Sequence, residues 1–536
     1  MRIFFYHSGQ INMDSTRQSL IDEIKKRVQD RILERTNADL LIKLITNADS
    51  LDEAINIAAL GTTYKRTGLH FDKRLEKMGN AIRYFKKNEK LSFRTDNAKP
   101  VNKLIIGDNY QALQNLLIQY RDKIDVIYID PPYGKDSMGE FAKTNYNNAI
   151  TRDNLLSMLY PRLVLARQLL SDEGVIFCSI DDKNQAYVKC LFDEIFGEEN
   201  FVGNIDWESK TKSQNTESAF QKLQPKCEYI LCYGSEGTKH KFNLISVGQK
   251  DYNLKDEKGI YREHCLELMN ANGIRGRDTM VFDISDGVST VFLPEGKQWK
   301  LGQAQVATFK SRSDLFIRDG KVFLKMRPSD ERTETTAPFW AFFDKTIGTA
   351  ESAKKELNEI LGTSHGFETV KPVELIKRLI FHASKKDSII LDFFGGSGTT
   401  AHSVLELNRS EKKEKDLISE EISEENRTFI ICQSAEDSEN QPNGIAYDVT
   451  SKRLKRIMTG ECYDGTKDFP WLQNNEPYGG NLDVYEIEEV LNSESTEGKT
   501  PFDVIDETLY GKEKFKTVKE KIEWVCQNFD KTQTKL

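Results

Sequence analysis

Val126-Ile-Tyr-Ile-Asp-Pro-Pro-Tyr133 runs four strand-forming residues straight into Asp130, Pro131, Pro132 and Tyr133. An unbroken apolar β-run is the pattern of a central parallel strand, buried on both faces. Two consecutive prolines cannot continue a ladder or a helix. The strand therefore ends there and presents Asp130 and Tyr133 at its carboxyl edge, where open α/β sheets bind their ligands. The Asp130 carboxylate and the Pro131 carbonyl are two acceptors with no competing proline N–H, which suits an amino group carrying two hydrogens. Tyr133 offers a flat face for stacking a base. Two acceptors and an aromatic clamp are what methylation of an adenine or cytosine exocyclic amine needs, because they pull the N–H bonds toward tetrahedral geometry and free the lone pair. The same tetrapeptide also reads as a plain β-turn after a strand.

A second stretch narrows the choice. Ser388-Ile-Ile-Leu-Asp392 is another short buried-strand pattern, and it runs into Phe393-Phe394-Gly395-Gly396-Ser397-Gly398-Thr399-Thr400 and then a helical stretch, Ala401 to Leu407. Glycines let the backbone approach a ligand, and the helix beyond them supplies free N–H donors. A dinucleotide or phosphate site is the generic rival, but neither a GxGxxG nor a GK[ST] spacing is present.

Together the two stretches resemble the amino-methylating DNA methyltransferases. Asp130-Pro131-Pro132-Tyr133 is similar to their catalytic motif, and Asp392-x-Phe394-x-Gly396-x-Gly398 to their S-adenosylmethionine motif. The catalytic motif comes first, then a long insertion, then the cofactor motif, an order similar to the β-class of these enzymes. The flanks Leu104 to Asn109, Lys371-Pro372 and Asn481 to Glu488 resemble the modification subunit of type III restriction-modification systems. The resemblance implies an α/β fold: a permuted, Rossmann-like methyltransferase with an inserted target-recognition domain and a helical N-terminal region. It implies catalytic roles for Asp130, Pro131, Pro132 and Tyr133. It implies S-adenosylmethionine contacts from Asp392, Phe394, Gly396, Gly398, Thr399, Asp108, Lys371 and Pro372, and no metal. Asp108 also reads as a helix N-cap. Where most relatives carry an acid for the cofactor ribose, this chain has Gln433, with Glu436 three residues on.

An aspartate at the first motif position is commoner for adenine N6 in the family, so adenine in duplex DNA is the expected substrate, reached by base flipping. Cytosine N4 is the alternative amine. Methylation of RNA or a protein amide and a catalytically inert DNA-specificity subunit are the other readings. The implied partners are DNA, a second copy of the chain and a helicase-nuclease restriction subunit.

Composition sets the bounds. The chain has 536 residues, enough for several domains, and 30% of them are charged. Mean hydropathy is −0.57, no apolar run reaches the ~18 residues of a membrane span, and no signal peptide is read. Eight scattered cysteines without a CxxC pair argue for free thiols, a cytoplasmic location and no zinc. Cys178, Cys190 and Cys432 lie in apolar context and are expected in the core. The net charge of −8 leaves nucleic-acid contacts to local basic patches.

Taken in order, residues 1–100 read as mainly helical, with a helix capped by Asp14 or Ser15 and others over Leu51 to Leu60 and Leu75 to Phe85. Lys65-Arg66 and Lys73-Arg74 read as a solvated face. Residues 101–233 are the catalytic half, with helices over Tyr110 to Tyr120, Asn154 to Leu170 and Tyr187 to Phe196. Its later strands are expected over Gly174 to Asp181 and Lys226 to Tyr233, and Gly134 to Asn148 is a candidate closing loop. Residues 234–365 are the target-recognition domain, where Arg275, Arg277, Lys300, Lys310, Arg312, Arg327 and Arg332 stand among aromatic and polar residues. Each of these also reads as ordinary solvated charge. Residues 366–478 are the cofactor half, with a solvated Arg409 to Arg427 loop. Residues 479–536, helical over Phe515 to Phe529, resemble the family's assembly region.

Overall fold

The computed structural model describes residues 3–29, 33, 35–60, 81–133, 152–211, 223–237, 241–271, 276–418, 426–436, 441–491 and 500–529. The expected Gly134 to Asn148 loop, Lys65-Arg66, Lys73-Arg74 and Arg275 lie outside them. The chain divides into two compact units, residues 1–70 and 71–536.

The first unit is helical: α1 Ile3–Gln29, α2 Arg35–Thr46 and α3 Leu51–Leu60. They bury Ile24, Ala38, Ile45, Ala54 and Ala58. Small alanines at the contacts let the helices approach closely. No helix begins at Asp14 or Ser15, because α1 already runs through both.

The second unit is organised by one ten-stranded sheet of described residues. In chain order its strands are β1 Ala81–Lys87, β2 Val101–Ile106, β3 Ile124–Ile129, β4 Leu170–Ile180, β5 Phe201–Glu208, β6 Cys227–Gly234, β7 Phe342–Phe343, β8 Ile389–Asp392, β9 Thr428–Gln433 and β10 Asn481–Leu491. Their spatial order is β1-β10-β2-β9-β8-β3-β4-β6-β5-β7. From β10 to β4 every pairing is parallel; β6 then reverses direction beside β4. Helices complete the crossovers: α4 Asn109–Tyr120 between β2 and β3, α5 Arg152–Leu169 between β3 and β4, and α6 Gln185–Phe196 after β4. In the other half, α7 Ala350–Leu361 and α8 Val373–Ala383 precede β8, α9 Thr399–Ile418 joins β8 to β9, and α10 Lys452–Thr459 precedes β10. Val126, Ile127, Tyr128 and Ile129 of β3 and Ile390 and Leu391 of β8 are all buried. That is why these strands read as continuous apolar runs rather than alternations.

The decisive pairing joins the two halves. Ile390 and Leu391 of β8 lie opposite Val126 and Ile127 of β3, so segments more than 250 residues apart become the central neighbours of one doubly wound sheet. This is the permuted Rossmann-like arrangement expected from the order of the motifs.

Several boundaries move. Of the helix expected over Leu75 to Phe85, the described residues 81–85 are strand: β1 pairs with β10 from Ala81↔Leu491 to Lys87↔Tyr485, and Phe85 stacks on Tyr485. Tertiary pairing overrides a locally helical text here. Asn481–Leu491 thus belongs to the sheet rather than to a separate C-terminal region. Residues 500–529 pack on the same edge, with the Phe85 N–H donating to Tyr510 Oη at 2.8 Å. The insertion ends earlier than 365, because α7 shares a core with Ile445 and Val449 of the cofactor half. Helix α9 runs on to Ile418, through the first part of the expected loop. Cys178 and Cys432 are buried as expected, but Cys190 is exposed, on the outer face of α6.

Inside the insertion, four strands pair in the order Leu315–Arg318, Lys321–Met326, Gly259–Cys265, Leu254–Asp256. They sit on a separate small core that includes Trp299, Phe309, Val322 and Leu324.

Candidate active site

Asp130 leaves the end of β3 at the central neighbour pair. Its Oδ1 accepts the Tyr133 hydroxyl at 2.9 Å and lies 3.0 Å from Lys371 Nζ. Lys371 Nζ also donates to Tyr133 Oη at 2.7 Å and to Glu228 Oε2 at 3.1 Å. The same ammonium stands 5.0 Å from the Tyr133 ring centre. Three separate elements thus meet: the β3 tip, the antiparallel strand β6 and the turn before α8. A fourth residue holds the tetrapeptide from behind, as Asn184 Nδ2 donates to the Tyr133 carbonyl at 2.7 Å.

The electrostatics come from burial and charge. Burial works against the Lys371 ammonium, but Asp130 and Glu228 outweigh it and hold the group well above the ordinary lysine range. Burial pushes on Glu228 too, and Lys371 overrides it to keep the carboxyl below its usual value. Burial first, then the charges of Asp130 and Glu228, push the Tyr133 phenol well up, so it stays a donor. Asp130, Glu228 and Lys371 by themselves sum to a formal charge of about −1, with Lys210 also acting on Glu228.

At the neighbouring tip the chain turns back on itself. Asp392 is 2% exposed. Its Oδ1 accepts the Phe394 N–H at 2.9 Å and its Oδ2 the Thr400 hydroxyl at 2.5 Å. Burial, with a contribution from Asp130, pushes its carboxyl up to about 7. Gly396 and Gly398 take φ of +51° and +81°, which glycine alone adopts freely. Gln433 stands where an acid is usual, and its Oε1 accepts the Gly396 N–H at 2.7 Å. Glu436 is exposed. The Thr399 hydroxyl faces inward, accepting from Arg453 Nη1 at 3.1 Å. The result is a backbone turn at the start of α9, with Phe394 and Gly396 its partly exposed residues.

Asp108 is an N-cap: its Oδ1 accepts the Tyr110 N–H at 2.9 Å, and its Oδ2 pairs with buried Arg162 at 3.0 Å. The residue beside it makes the connection. Asn109 Nδ2 donates to the Phe393 carbonyl at 2.8 Å, tying the β2 tip to the glycine turn, while Arg162 Nε holds the other end of the Asn109 amide. Pro372 is buried and leads into α8.

Asp130, Tyr133 and Lys371 are therefore brought together, and Lys371 sits with the tetrapeptide rather than on the glycine turn. The sequence pointed to neither Glu228, Asn184 nor Arg162. Asn184 carried a usable signal, a cap residue just before a helix. Glu228 sits in the half-apolar strand text of β6 and Arg162 in an amphipathic helix, where a single charge reads as solvated face.

In the insertion, two of the basic residues are structural. Arg327 grips Asp256 through both terminal nitrogens at 2.9 Å and pairs with buried Asp314 at 2.8 Å. Arg312 is paired with Asp330 at 2.8 Å. Lys300 pairs with Glu267 at the surface. Arg277, Lys310 and Arg332 are exposed. Among the described residues no group of His, Cys, Asp and Glu could hold a metal, and no helix is long and apolar enough to cross a membrane.

Comparison with known proteins agrees with this geometry. A family model described as DNA methylase matches residues 124–436, spanning both tips. A second model, of an uncharacterised conserved protein, matches residues 13–126. The Mod subunit of the type III restriction-modification enzyme StyLTI from Salmonella typhimurium is 31% identical over 63% of this chain and 53% of its own length. The Mod subunit of the EcoPI enzyme from Escherichia phage P1 is 30% identical over 68% and 63%. The type II methyltransferase M.KpnI from Klebsiella pneumoniae is 31% identical over 57% of this chain and 76% of its own. The chain spans between half and two thirds of the length of the two type III subunits. The extent of the DNA methylase match, and the placement of both motif tips within it, make this chain a member of the DNA methylase family.

Proposed function

We propose that this chain is a sequence-specific DNA methyltransferase acting on the N6 amino group of adenine, and that it is the modification and site-recognition subunit of a type III restriction-modification system. The observation that carries the reading is the pairing of β3 with β8, which sets the Asp130 tetrapeptide and the Asp392 glycine turn side by side at one sheet edge. That edge is where a doubly wound sheet takes its ligands.

The glycine turn fits S-adenosylmethionine. Gly396 and Gly398 take positive φ and carry no side chain, so the backbone of the turn can approach a ligand closely, and α9 begins at Thr399 with the N–H donors of its first turn. Asp392 and Gln433 hold the turn in shape from inside, and the cofactor contacts are assigned to Phe394, Gly396 and Gly398. When bound, the cofactor supplies an electrophilic methyl group on a sulfonium. The chain's own residues do the rest. Asp130 and the Pro131 carbonyl accept the two N–H groups of the amine and aim its lone pair. Tyr133 stacks against the flipped base, offsetting part of the few kcal/mol that unstacking costs. Rate acceleration comes from positioning and from a net negative pocket facing a nitrogen that becomes positive. No nucleophilic cysteine takes part. The exposed Arg277, Lys310 and Arg332 of the insertion are available to DNA, whereas Arg312 and Arg327 hold the insertion together. A homodimer that joins a helicase-nuclease subunit completes the proposal.

The test is single-molecule sequencing of genomic DNA from cells expressing the chain or its Asp130→Ala variant. N6-methyladenine at one short asymmetric motif, on one strand and absent with the variant, is the expected result. Marks on cytosine N4 would keep the mechanism and change the base; no mark on DNA, with cofactor bound, would overturn the substrate assignment.

A further inference from the structure

The acceptor that must hold the target amine is already shared with a cation. Asp130 Oδ1 faces Lys371 Nζ at 3.0 Å, and the side chain of Lys371 is only 10% exposed. An ammonium so close fixes the carboxylate in place, but it also neutralises it. Left alone, the pair would be a poor acceptor for a neutral amine and a poor neighbour for a nitrogen gaining positive charge. The structure supplies the counterweight from an element outside both motifs. Glu228, on β6, places Oε2 3.1 Å from the same Nζ and 3.4 Å from Tyr133 Oη, with its side chain 16% exposed.

We propose that Glu228 is a positioning residue of the transfer reaction: it takes up the Lys371 charge, so that Asp130 is oriented by the lysine without being neutralised by it. This rests on the methyltransferase reading above. In the transfer, the amine lone pair forms the new N–C bond, the S–C electron pair stays on sulfur, and one N–H proton leaves through Asp130 to water. Glu228 touches none of these atoms. Its effect is to keep the Asp130–Lys371–Glu228 cluster from being neutral while the amine nitrogen becomes positive. Lys371 in turn serves both carboxylates, which accounts for a buried lysine beside a catalytic aspartate.

The experiment uses the full-length protein, tritium-labelled S-adenosylmethionine and genomic DNA from a host without adenine or cytosine methylation. Glu228→Gln, which keeps shape and removes charge, is expected to lower kcat about ten- to a hundredfold, with the KM for the cofactor within about twofold. Adding Lys371→Met to Glu228→Gln is expected to recover part of the lost rate, severalfold in kcat, because removing the unbalanced cation outweighs the orientation of Asp130 that is lost with it. A merely structural role for Glu228 would make the double variant slower still. Cofactor binding measured by calorimetry separates unfolded variants from slow ones. Wild-type kcat in Glu228→Gln, or a double variant no faster than the single one, overturns the inference while the methyltransferase reading stands. A wild-type protein that binds cofactor and methylates no DNA overturns that reading, and this inference with it.

Discussion

Asp130 and Asp392 end neighbouring parallel strands of one sheet, yet the chain uses them in opposite ways. The Asp130 side chain is 28% exposed and engages Lys371 and Tyr133. Asp392 is 2% exposed and spends both oxygens on its own turn, on the Phe394 N–H and the Thr400 hydroxyl. The difference lies in the residues next in the chain. Pro131 and Pro132 have no N–H to offer, so the Asp130 carboxylate takes no backbone hydrogen bond from the two residues that follow it and reaches Tyr133 and Lys371 instead. The glycine turn after Asp392 folds back and presents donors at once. The same residue type at the same sheet edge becomes chemistry before two prolines and architecture before glycines.

The sharpest way to break this contrast is to remove each carboxylate in turn. Asp130→Ala is expected to cut methyl transfer by at least about 10³-fold and to leave cofactor affinity within about threefold. Asp392→Ala, by orphaning the Phe394 N–H and the Thr400 hydroxyl at about 1–3 kcal/mol each, is expected to destabilise the fold and weaken cofactor binding. Labelled-methyl transfer and calorimetry on both variants decide it. If Asp392→Ala bound cofactor normally and only Asp130→Ala unfolded, the assignment of roles would be reversed.

The second test uses pH. The Asp392 carboxyl is held near 7 in the folded chain, against about 4 in an unfolded one. Between those values the folded state keeps a proton that the unfolded state has lost, so the contribution of this group to stability falls as pH rises. From pH 5 to pH 8 the loss amounts to about 2–3 kcal/mol. Asp392→Asn removes the titration. Its stability relative to wild type, from denaturant melts, should therefore improve by that amount between pH 5 and pH 8. A difference that is flat with pH would mean the buried carboxylate is ionised throughout.

Legibility in the sequence obeys the same physics. β3, β8 and β9 are buried on both faces, so their apolar runs and punctuation were visible, and the joining of two distant halves followed from the family resemblance that the motif order carried. The strand Ala81–Lys87 was not visible, because its identity depends on β10, some 400 residues away. Lys371 was found through resemblance and assigned to the cofactor, but its partner Glu228 lies on a strand that no motif covers. The charge cluster exists only after β6 and the turn before α8 converge. In the insertion, Arg327 looked like a candidate for DNA, whereas its partners Asp256 and Asp314 stand 71 and 13 residues away. A charge whose partner is remote in sequence reads as free.

The smallest effects concern why the Asp392 tip needs glycine at all, and two positions separate two reasons. A Cβ at Gly395 would stand 2.2 Å from Ile431 Cγ2 and 3.2 Å from the Cys432 carbonyl, so the turn packs against β9 with no room for a side chain. Gly395→Ala is expected to cost about 2 kcal/mol through overpacking, reduced if Ile431→Ala opens the space. At Gly398 the nearest neighbour of a Cβ, Thr450 Cγ2, is an unobjectionable 3.4 Å away, but φ is +81°. Gly398→Ala should therefore cost about 1 kcal/mol, from backbone conformation alone, and no substitution of Thr450 should recover it. Denaturant melts of the two alanine variants, each with and without its neighbour's truncation, separate the causes. Rescue at 395 and none at 398 would show that the turn is shaped at one end by the strand behind it and at the other by the chain's own need to start a helix. Rescue at both would mean that packing alone sets the turn, and the tip beside Asp130 would then differ from it only in having prolines.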